Sequence, residues 1–199
     1  MTADRPAPGG RALRSENRRT EILRAAMEVI AERGYRGASL SAVAERVGMT
    51  QQGLLHHFPT REALLVAVLE ARDVWDTGAT EDTGQVWPLE MWTYLVDYNA
   101  TRPGIVQTFS ALLGESVTDN QAAREYFAQR YGMARERAAA SLRHEFGERL
   151  PGGLTPEEAA PLLIAVLDGM QFQWLLDPGG ADMSAAFRSL VALLGREPG

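Results

Sequence analysis

Apolar side chains recur at helical spacing along almost the whole chain, and no segment alternates apolar and polar residues in the manner of a strand. The segment after Ser39 is typical, because Leu40, Val43, Ala44 and Val47 have the spacing i, i+3, i+4, i+7 of one helix face. The pattern therefore predicts an all-α protein, and its interruptions divide the chain into about nine helices.

Glycines, prolines and capping residues mark these interruptions. The first helix is predicted over about 15–33, with Gly34 as its stop, and Gly48 ends the second helix. Thr50 is the predicted N-cap of a third, short helix. The other predicted elements are a helix after the break at 59–60, a loop over 76–88, helices over about 88–101 and from Pro103, a helix from the capping box of Thr118 and Gln121 to about Phe146, a helix that starts at Thr155, Pro156 and Glu158, and a helix over about 182–194.

Charge is distributed unevenly along the 199 residues, although the net charge of −6 alone argues against a nucleic-acid-binding protein. Residues 1–61 contain ten arginines against six acidic residues, a balance of +4, so the rest of the chain carries −10. Such asymmetry is typical of a basic end that faces a polyanion and an acidic body held away from it. A chance fluctuation of surface charge would give the same numbers.

The chain also lacks features of several other protein classes. It has no cysteine, which excludes disulfides, a thiolate nucleophile and a sulfur-based zinc site. No stretch is expected to be long and apolar enough to cross a membrane, and the first residues lack the apolar core of a signal peptide. The sequence thus predicts a cytoplasmic protein without a membrane partner, in which residues 1–14, rich in Pro, Gly and Arg, form a disordered basic arm.

Residues 39–58 have the form of a helix-turn-helix, since two short helices are joined by Gly48 and Met49. The second of these helices is too short to be stable alone, so we interpret it as a support that presents side chains. It begins with Gln51 and Gln52, whose amides can pair with adenine in the major groove. Gly53 is costly inside a helix, and either a close approach to DNA or a frayed first turn accounts for it.

Residues 18–71 resemble the N-terminal domain of TetR-family regulators. The matching residues, at the family spacing, are Ile22, Ala25, Ala26, Gly34, Tyr35, Ser39, Val43, Ala44, Val47, Gly48, Met49, Leu54, Phe58, Pro59, Arg61, Glu62 and Leu64. The resemblance implies a DNA-binding domain over 15–61 and a larger helical domain over 62–199 that dimerises and binds a small molecule. It implies no cofactor.

The resemblance also assigns roles at the DNA surface, all of them expectations here. Ser41, Gln51 and Gln52 would face base edges, and Gly53 would allow close approach. Leu55 stands where the family usually has a tyrosine, which removes a hydroxyl and leaves an apolar group for a thymine methyl. The expected phosphate contacts are Ser39, Thr50, His56, His57 and Arg61, the last of which replaces the usual lysine.

The predicted second domain supplies candidates for two further surfaces. An effector pocket for a small lipophilic or aromatic molecule is predicted from aromatic and amide side chains, although each of them could instead be core: Trp92, Asn99, Gln107, Phe109, Tyr126, Tyr131, Gln171 and Trp174. A four-helix homodimer interface is predicted from the last two helices, with an ordinary intramolecular core as the alternative: Leu162, Val166, Gly169, Met170, Leu190 and Leu194.

The sequence therefore predicts a dimeric, ligand-responsive repressor that binds a palindromic operator in double-stranded DNA. An enzyme is disfavoured, because no nucleophile elbow, phosphate-binding glycine loop or paired metal ligands occur. His56 and His57 are adjacent and point about 100° apart on a helix, so no metal site is expected. A helical adaptor that has lost DNA binding and an activator remain as alternatives.

Overall fold

The computed structural model describes residues 10–76, 86–118 and 121–196. Within these ranges there are nine helices and no strand, which confirms the predicted all-α fold. The helices are α1 Gly10–Gly37, α2 Leu40–Arg46, α3 Gln51–Leu55, α4 Arg61–Asp76, α5 Leu89–Ala100, α6 Pro103–Ser116, α7 Gln121–Phe146, α8 Pro156–Leu176 and α9 Met183–Leu194.

Helix α1 is longer than predicted at both ends. It begins at Gly10, so the part of the expected arm over 10–14 is helical, while residues 1–9 lie outside the described residues. At the predicted stop, Gly34 has φ 67° and leaves helical geometry, and one further turn then continues to Gly37. A positive φ of this kind suits glycine, which has no Cβ to clash with the backbone.

Helix α7 is described from Gln121 onward, and residues 119–120 lie outside the described residues. The Thr118 hydroxyl donates to the carbonyl of Glu115 at 2.9 Å, at the end of α6. The capping box of Thr118 and Gln121 stays a prediction. The predicted loop over 76–88 lies mostly outside the described residues; residues 86–88, which precede α5, are not helical.

Two hydrophobic cores organise the described residues. The first joins α1, α2, α3 and α4 to α6 and the start of α7, with Ile22, Leu54, Phe58, Leu69 and Phe109 among its buried members. Because α4 and α6 share this core with α1, packing continues across the predicted domain boundary at 61/62. Helices α2 and α3 therefore pack directly on the larger helical part.

The second core joins α5, α7, α8 and α9. Its buried members include Trp92, Leu142, Leu163 and Phe187. The indole Nε1 of Trp92 donates to the Ser141 hydroxyl at 3.0 Å, so the polar edge of this buried ring has a partner.

Helix α6 packs closely on α1. A Cβ added at Gly104 would lie 2.6 Å from the carbonyl oxygen of Ile30 in α1, so only glycine fits between the two backbones. Near the other end of α6, the Tyr35 hydroxyl donates to a Glu115 carboxylate oxygen at 2.7 Å. The contact between the two parts of the chain is thus held at both ends of α6.

Helix α8 begins as predicted. The Thr155 hydroxyl accepts from the backbone N–H of Glu158 at 3.3 Å, and the Glu158 carboxylate accepts from the backbone N–H of Thr155 at 2.8 Å. This reciprocal capping box, with Pro156 in the first turn, is confirmed. The expectation that no stretch could cross a membrane is wrong for α8, whose length and apolarity suffice by composition. Such a helix is weak evidence for a membrane span, because a core helix of a soluble protein has the same composition.

Candidate DNA-reading surface and effector cavity

Local capping and a glycine turn build the helix-turn-helix. Ser39 is the N-cap of α2, and its hydroxyl accepts from the backbone N–H of Ala42 at 3.2 Å. Gly48 has φ 64° and turns the chain, while the backbone N–H of Met49 donates to the carbonyl of Ala44 at 2.9 Å. The turn therefore needs a residue that tolerates positive φ, as the sequence predicted.

Thr50 is the N-cap of α3, and its hydroxyl accepts from the backbone N–H of Gly53 at 3.1 Å. One residue further on, Leu54 is fully buried and fixes this short helix to the first core. A Cβ at Gly53 would lie 3.2 Å from the terminal methyl of Met49 and 3.3 Å from the Thr50 hydroxyl, so the first turn of α3 is tightly packed. This packing supplies a structural reason for Gly53.

Most of the polar residues predicted to read DNA are accessible to solvent. Ser41, Thr50, Gln51, Gln52 and His56 are exposed, and Ser39, Gly53, Leu55 and His57 are half-buried. The Ser39 and Ser41 hydroxyls are 3.0 Å apart and hydrogen-bond to each other. Exposure at the start of α3 is what base contacts require, and the roles of these residues stay predictions.

Arg61 has protein partners rather than a free guanidinium. Its Nε donates to the carbonyl of Ala38 at 3.0 Å, its Nη2 donates to the carbonyl of Tyr35, and the guanidinium lies 4.3 Å from the centre of the Tyr35 ring. These contacts hold the end of α1 to the start of α4. Arg61 therefore has a positioning role in this structure, and its contact with a phosphate stays a prediction.

Two arginines of α1 that the sequence analysis did not single out hold the end of α2 and the segment after α3. The Nη2 of Arg18 donates to the carbonyl of Val47 at 2.9 Å, at the end of α2. The Nη1 of Arg19 donates to the carbonyl of His57 at 3.2 Å, and its guanidinium covers the Phe58 ring at 4.3 Å. The sequence signal that could have identified these two residues is the adjacent pair of arginines on the polar side of α1.

Arg46 forms ion pairs with α1. Its guanidinium lies 3.1 Å from a Glu28 carboxylate oxygen and also pairs with Glu32. The hydrogen bond from Arg46 lowers the pKa of Glu32, and the hydrogen bonds to Glu32 and Glu28 raise the pKa of Arg46. Part of the positive charge of the N-terminal region is thus already neutralised within the domain.

A cavity of about 350 Å³ lies among α4, α5, α6, α7 and α8. Five of the eight predicted effector contacts line it: Trp92, Asn99, Phe109, Tyr131 and Gln171. Its volume is at the lower end of the range for small-molecule sites, and its walls have the expected mixture of aromatic and polar groups. The structure thus brings together most of the predicted pocket.

Three predicted contacts lie elsewhere. Gln107 is exposed beside Gly34, because it is two positions before Phe109 and so about 200° around α6. Tyr126 packs against the first core and donates to Asp73 at 3.2 Å, and Trp174 packs against the second core.

An ion pair joins two walls of the cavity. The Nε and Nη2 of Arg130 in α7 donate to the two carboxylate oxygens of Asp73 in α4, at 2.7 and 3.2 Å. Burial lowers the pKa of Arg130, but the attraction of Asp73 outweighs it and the pKa is raised. Arg72, also in α4 and 6% exposed, donates to the side-chain oxygen of Asn99 in α5. Two adjacent residues of α4 are therefore tied to two other helices.

A second polar link crosses the opposite side of the cavity. The Tyr131 hydroxyl donates to a carboxylate oxygen of Asp168 in α8 at 2.6 Å, and the Gln171 amide lies 3.5 Å from the other oxygen. Burial raises the pKa of Asp168, although the Tyr131 hydrogen bond and Arg130 act in the opposite direction. Burial also raises the pKa of Tyr131. Among the residues that the structure describes, no group of three or more His, Cys, Asp or Glu could hold a metal.

The predicted dimer residues lie on α8 and α9. Leu162 is 50% exposed, Val166, Gly169, Leu190 and Leu194 are half-buried, and Met170 lines the cavity. Further large apolar side chains on the same two helices are exposed, namely Phe172, Leu176 and Leu193. The single chain thus leaves an apolar surface along α8 and α9.

Comparison with known proteins gives matches over both parts of the chain. Residues 22–68 match the model described as bacterial regulatory proteins of the tetR family, and residues 89–196 match the C-terminal model of BetI-type transcriptional repressors. The HTH-type transcriptional regulator RutR of Escherichia coli K12 is 35% identical over 68 residues, which are 34% of this chain and only 32% of that relative. The chain thus matches about a third of the length of this relative.

Two longer matches cover most of the chain. The HTH-type transcriptional regulator BetI of Burkholderia cenocepacia is 26% identical over 181 residues, which are 87% of this chain and 90% of that relative. A transcriptional regulator from Saccharomonospora viridis, solved in complex with choline, has the same fold, with a TM-score of 0.64, 19% identity and coverage of 90% and 96%. These proteins are regulators and not enzymes. The chain therefore belongs to the TetR family of bacterial transcriptional regulators, with a C-terminal part of the BetI type.

Proposed function

We propose that the protein is a homodimeric repressor that binds a palindromic operator and leaves it when a small molecule fills the cavity. The observation that carries this proposal is the position of α4. It begins at Arg61, beside the reading helices, and its residues Arg72 and Asp73 line the cavity. One helix thus connects the place where a ligand would bind to the place where DNA would bind.

Coupling follows if the ligand binds two positions of α4 unequally, since only differential affinity shifts an equilibrium. Asp73 accepts a hydrogen bond from Arg130, and Arg72 donates one to Asn99, so a ligand that changes these hydrogen bonds acts directly on α4. In a dimer, a shift of each α4 would alter the spacing of the two reading units and so lower the affinity for an operator of fixed half-site spacing.

The exposed face of α8 and α9 supports the proposed dimer. Leu162, Phe172, Leu176 and Leu193 are exposed in the single chain, and a second copy packed by twofold symmetry would cover them. Replacement of Leu162 by Glu is expected to produce monomers in analytical ultracentrifugation at micromolar concentration. Val117→Glu, an equally drastic change at an exposed position of the α6 end, is the control and should leave the dimer intact.

Operator binding is tested by selecting genomic fragments with the purified protein at low and high salt. We expect enrichment of a palindromic site whose binding falls steeply as salt rises, because phosphate contacts release counterions. Gln51→Ala should change the preferred sequence, while Gln129→Ala, an exposed change on α7, should not. Equal weakening of all sequences by Gln51→Ala would contradict its role in base recognition.

The direction of regulation is tested with a reporter gene whose promoter overlaps the selected site. A repressor lowers expression from a promoter that overlaps the operator, whereas activation from the same site would contradict repression but not DNA recognition. The acidic larger part and the basic reading part together support a cytoplasmic protein that approaches DNA from one end.

A further inference from the structure

The cavity contains more positive than negative side chains. Arg72, Arg130 and Arg137 line it together with Asp73 and Asp168, and the structure describes no other ionisable carboxylate or cation in the lining. At neutral pH this set carries a net charge of +1. In a partly enclosed and largely apolar space, such a charge favours an anionic occupant over a cationic one.

Both carboxylates of this set are already engaged. Asp73 accepts two hydrogen bonds from Arg130, and Asp168 accepts one from Tyr131. A ligand cation would have to compete with a bidentate guanidinium at Asp73 or displace a 2.6 Å hydrogen bond at Asp168. Neither carboxylate is therefore available as a free counter-charge.

Arg137 differs from the other two arginines. Its guanidinium lies 4.1 Å from the centre of the Trp87 ring and, within the described part of the chain, forms no hydrogen bond or ion pair. The side chain is half-buried, and burial lowers its pKa, an effect that Asp73 opposes and Arg130 reinforces. An anion placed here would gain a charge-assisted hydrogen bond with a planar donor that suits carboxylates.

Apart from the amides of Asn99 and Gln171 and the hydroxyl of Tyr131, the remaining walls are apolar. Leu95 and Phe109 face the cavity from α5 and α6, Leu167 and Met170 face it from α8, and Met183 faces it from α9. These side chains offer contacts to an alkyl or aryl body but no further donors. One face of the Trp87 ring is already covered by the Arg137 guanidinium and is not available to a ligand cation.

We propose that the effector is an amphipathic monocarboxylate, with its carboxylate on Arg137 and its apolar body among the side chains of α5, α6 and α8. This inference rests on the proposed function, because it names the class of molecule that acts at the same cavity. It differs from the choline bound by the structural neighbour from Saccharomonospora viridis, whose 19% identity extends to the fold alone.

Three probes that share one alkyl chain test the inference: decanoate, decanol and decyltrimethylammonium. Isothermal titration calorimetry of the full chain without DNA, below the micelle concentration of each probe, measures their affinities. We expect decanoate to bind at least tenfold more tightly than either of the other two. Stronger binding of decyltrimethylammonium, equal binding of decanoate and decanol, or binding of none of the probes would overturn the proposal.

Variants of α7 then locate the carboxylate. Arg137→Gln should weaken decanoate at least tenfold and leave decanol within twofold, and Arg137→Lys should recover part of the loss. Arg135→Gln, an exposed change two residues away, is the matched control and should bind decanoate like the wild type. Equal decanoate binding by Arg137→Gln and the wild type would overturn the assignment, and the probe series decides on the wild type alone if the variant does not fold.

The binding assay contains no DNA, so it is independent of the proposed function. If the protein without ligand bound no operator, the proposed repressor function would be refuted and the proposed carboxylate site would not be affected. Operator release by decyltrimethylammonium but not decanoate would preserve the regulator and refute the carboxylate.

Discussion

Replacement of Gly104 by alanine tests how closely α6 packs on α1. The added Cβ would lie 2.6 Å from the carbonyl oxygen of Ile30, 3.3 Å from its carbonyl carbon and 3.4 Å from the Cα of Ala31. Cβ atoms essentially never approach another atom within 3.0 Å, and all three neighbours here are backbone atoms. The variant must therefore move one helix relative to the other.

The size of the effect follows from two opposing contributions. Overpacking in a rigid contact costs about 1–3 kcal/mol. Alanine is a better helix former than glycine by about 1 kcal/mol in a helix interior, and by less near a helix start such as position 104. We expect Gly104→Ala to lower the free energy of unfolding by about 1–2 kcal/mol. For a chain of this size, that loss corresponds to a decrease in Tm of roughly 2–8 °C.

Gly114 supplies the matched control on the same helix. A Cβ at this position has no neighbour within 4 Å, so Gly114→Ala is expected to stabilise the protein by about 0.5–1 kcal/mol. Urea unfolding at one fixed protomer concentration measures both variants, because the stability of a dimer depends on concentration. Equal changes of the same sign in the two variants would refute the steric reasoning.

Three further predictions concern other contacts. Arg61→Ala should lower the free energy of unfolding by about 1–3 kcal/mol in urea titrations, because it removes the hydrogen bonds of Arg61 to the end of α1. A salt slope of operator binding that is smaller by about one would support the predicted phosphate contact, and an unchanged slope would contradict it. Thr155→Ala should cost about 1 kcal/mol in the same titrations through loss of the α8 cap, and no change would show that the cap contributes nothing. Asp168→Asn should raise the free energy of unfolding, relative to the wild type, most at neutral pH. Burial raises the pKa of Asp168 in the folded state, so ionisation above its unfolded pKa destabilises the wild type, and the difference should narrow as the pH falls. A difference that is constant with pH in unfolding titrations would contradict this reasoning.

Features that depend on neighbouring residues were predictable from the sequence. The turn glycine Gly48 and the caps Thr50 and Thr155 act within four residues of their own positions, and the structure has each of them as predicted. Periodicity likewise gave the helices, since the same apolar face is repeated every turn.

Features that depend on the packing of distant helices were not predictable in this way. Arg61 was assigned by the family resemblance and Gln107 by residue type. The protein partners of Arg61 lie in the last turn of α1 and directly after it, and the exposure of Gln107 follows from the orientation of α6. The ion pair of Asp73 with Arg130 joins residues 57 positions apart, and no local sequence pattern predicts it. Five of the predicted pocket residues nevertheless line the cavity, and three of them are large aromatic side chains, which tend to be buried.

Helix α8 shows why an apolar composition alone does not identify a membrane-spanning helix. Ala159 and Leu163 belong to the second core, Leu167 and Asp168 line the cavity, and Leu162 is exposed on the remaining side. A helix that serves a core, a cavity and the proposed subunit interface must be apolar on nearly all sides, and this accounts for a composition that a membrane span also has. Asp168, near the middle of α8, interrupts the apolar surface on the side that faces the cavity. There it accepts the Tyr131 hydroxyl at 2.6 Å, as a carboxylate within a protein interior requires.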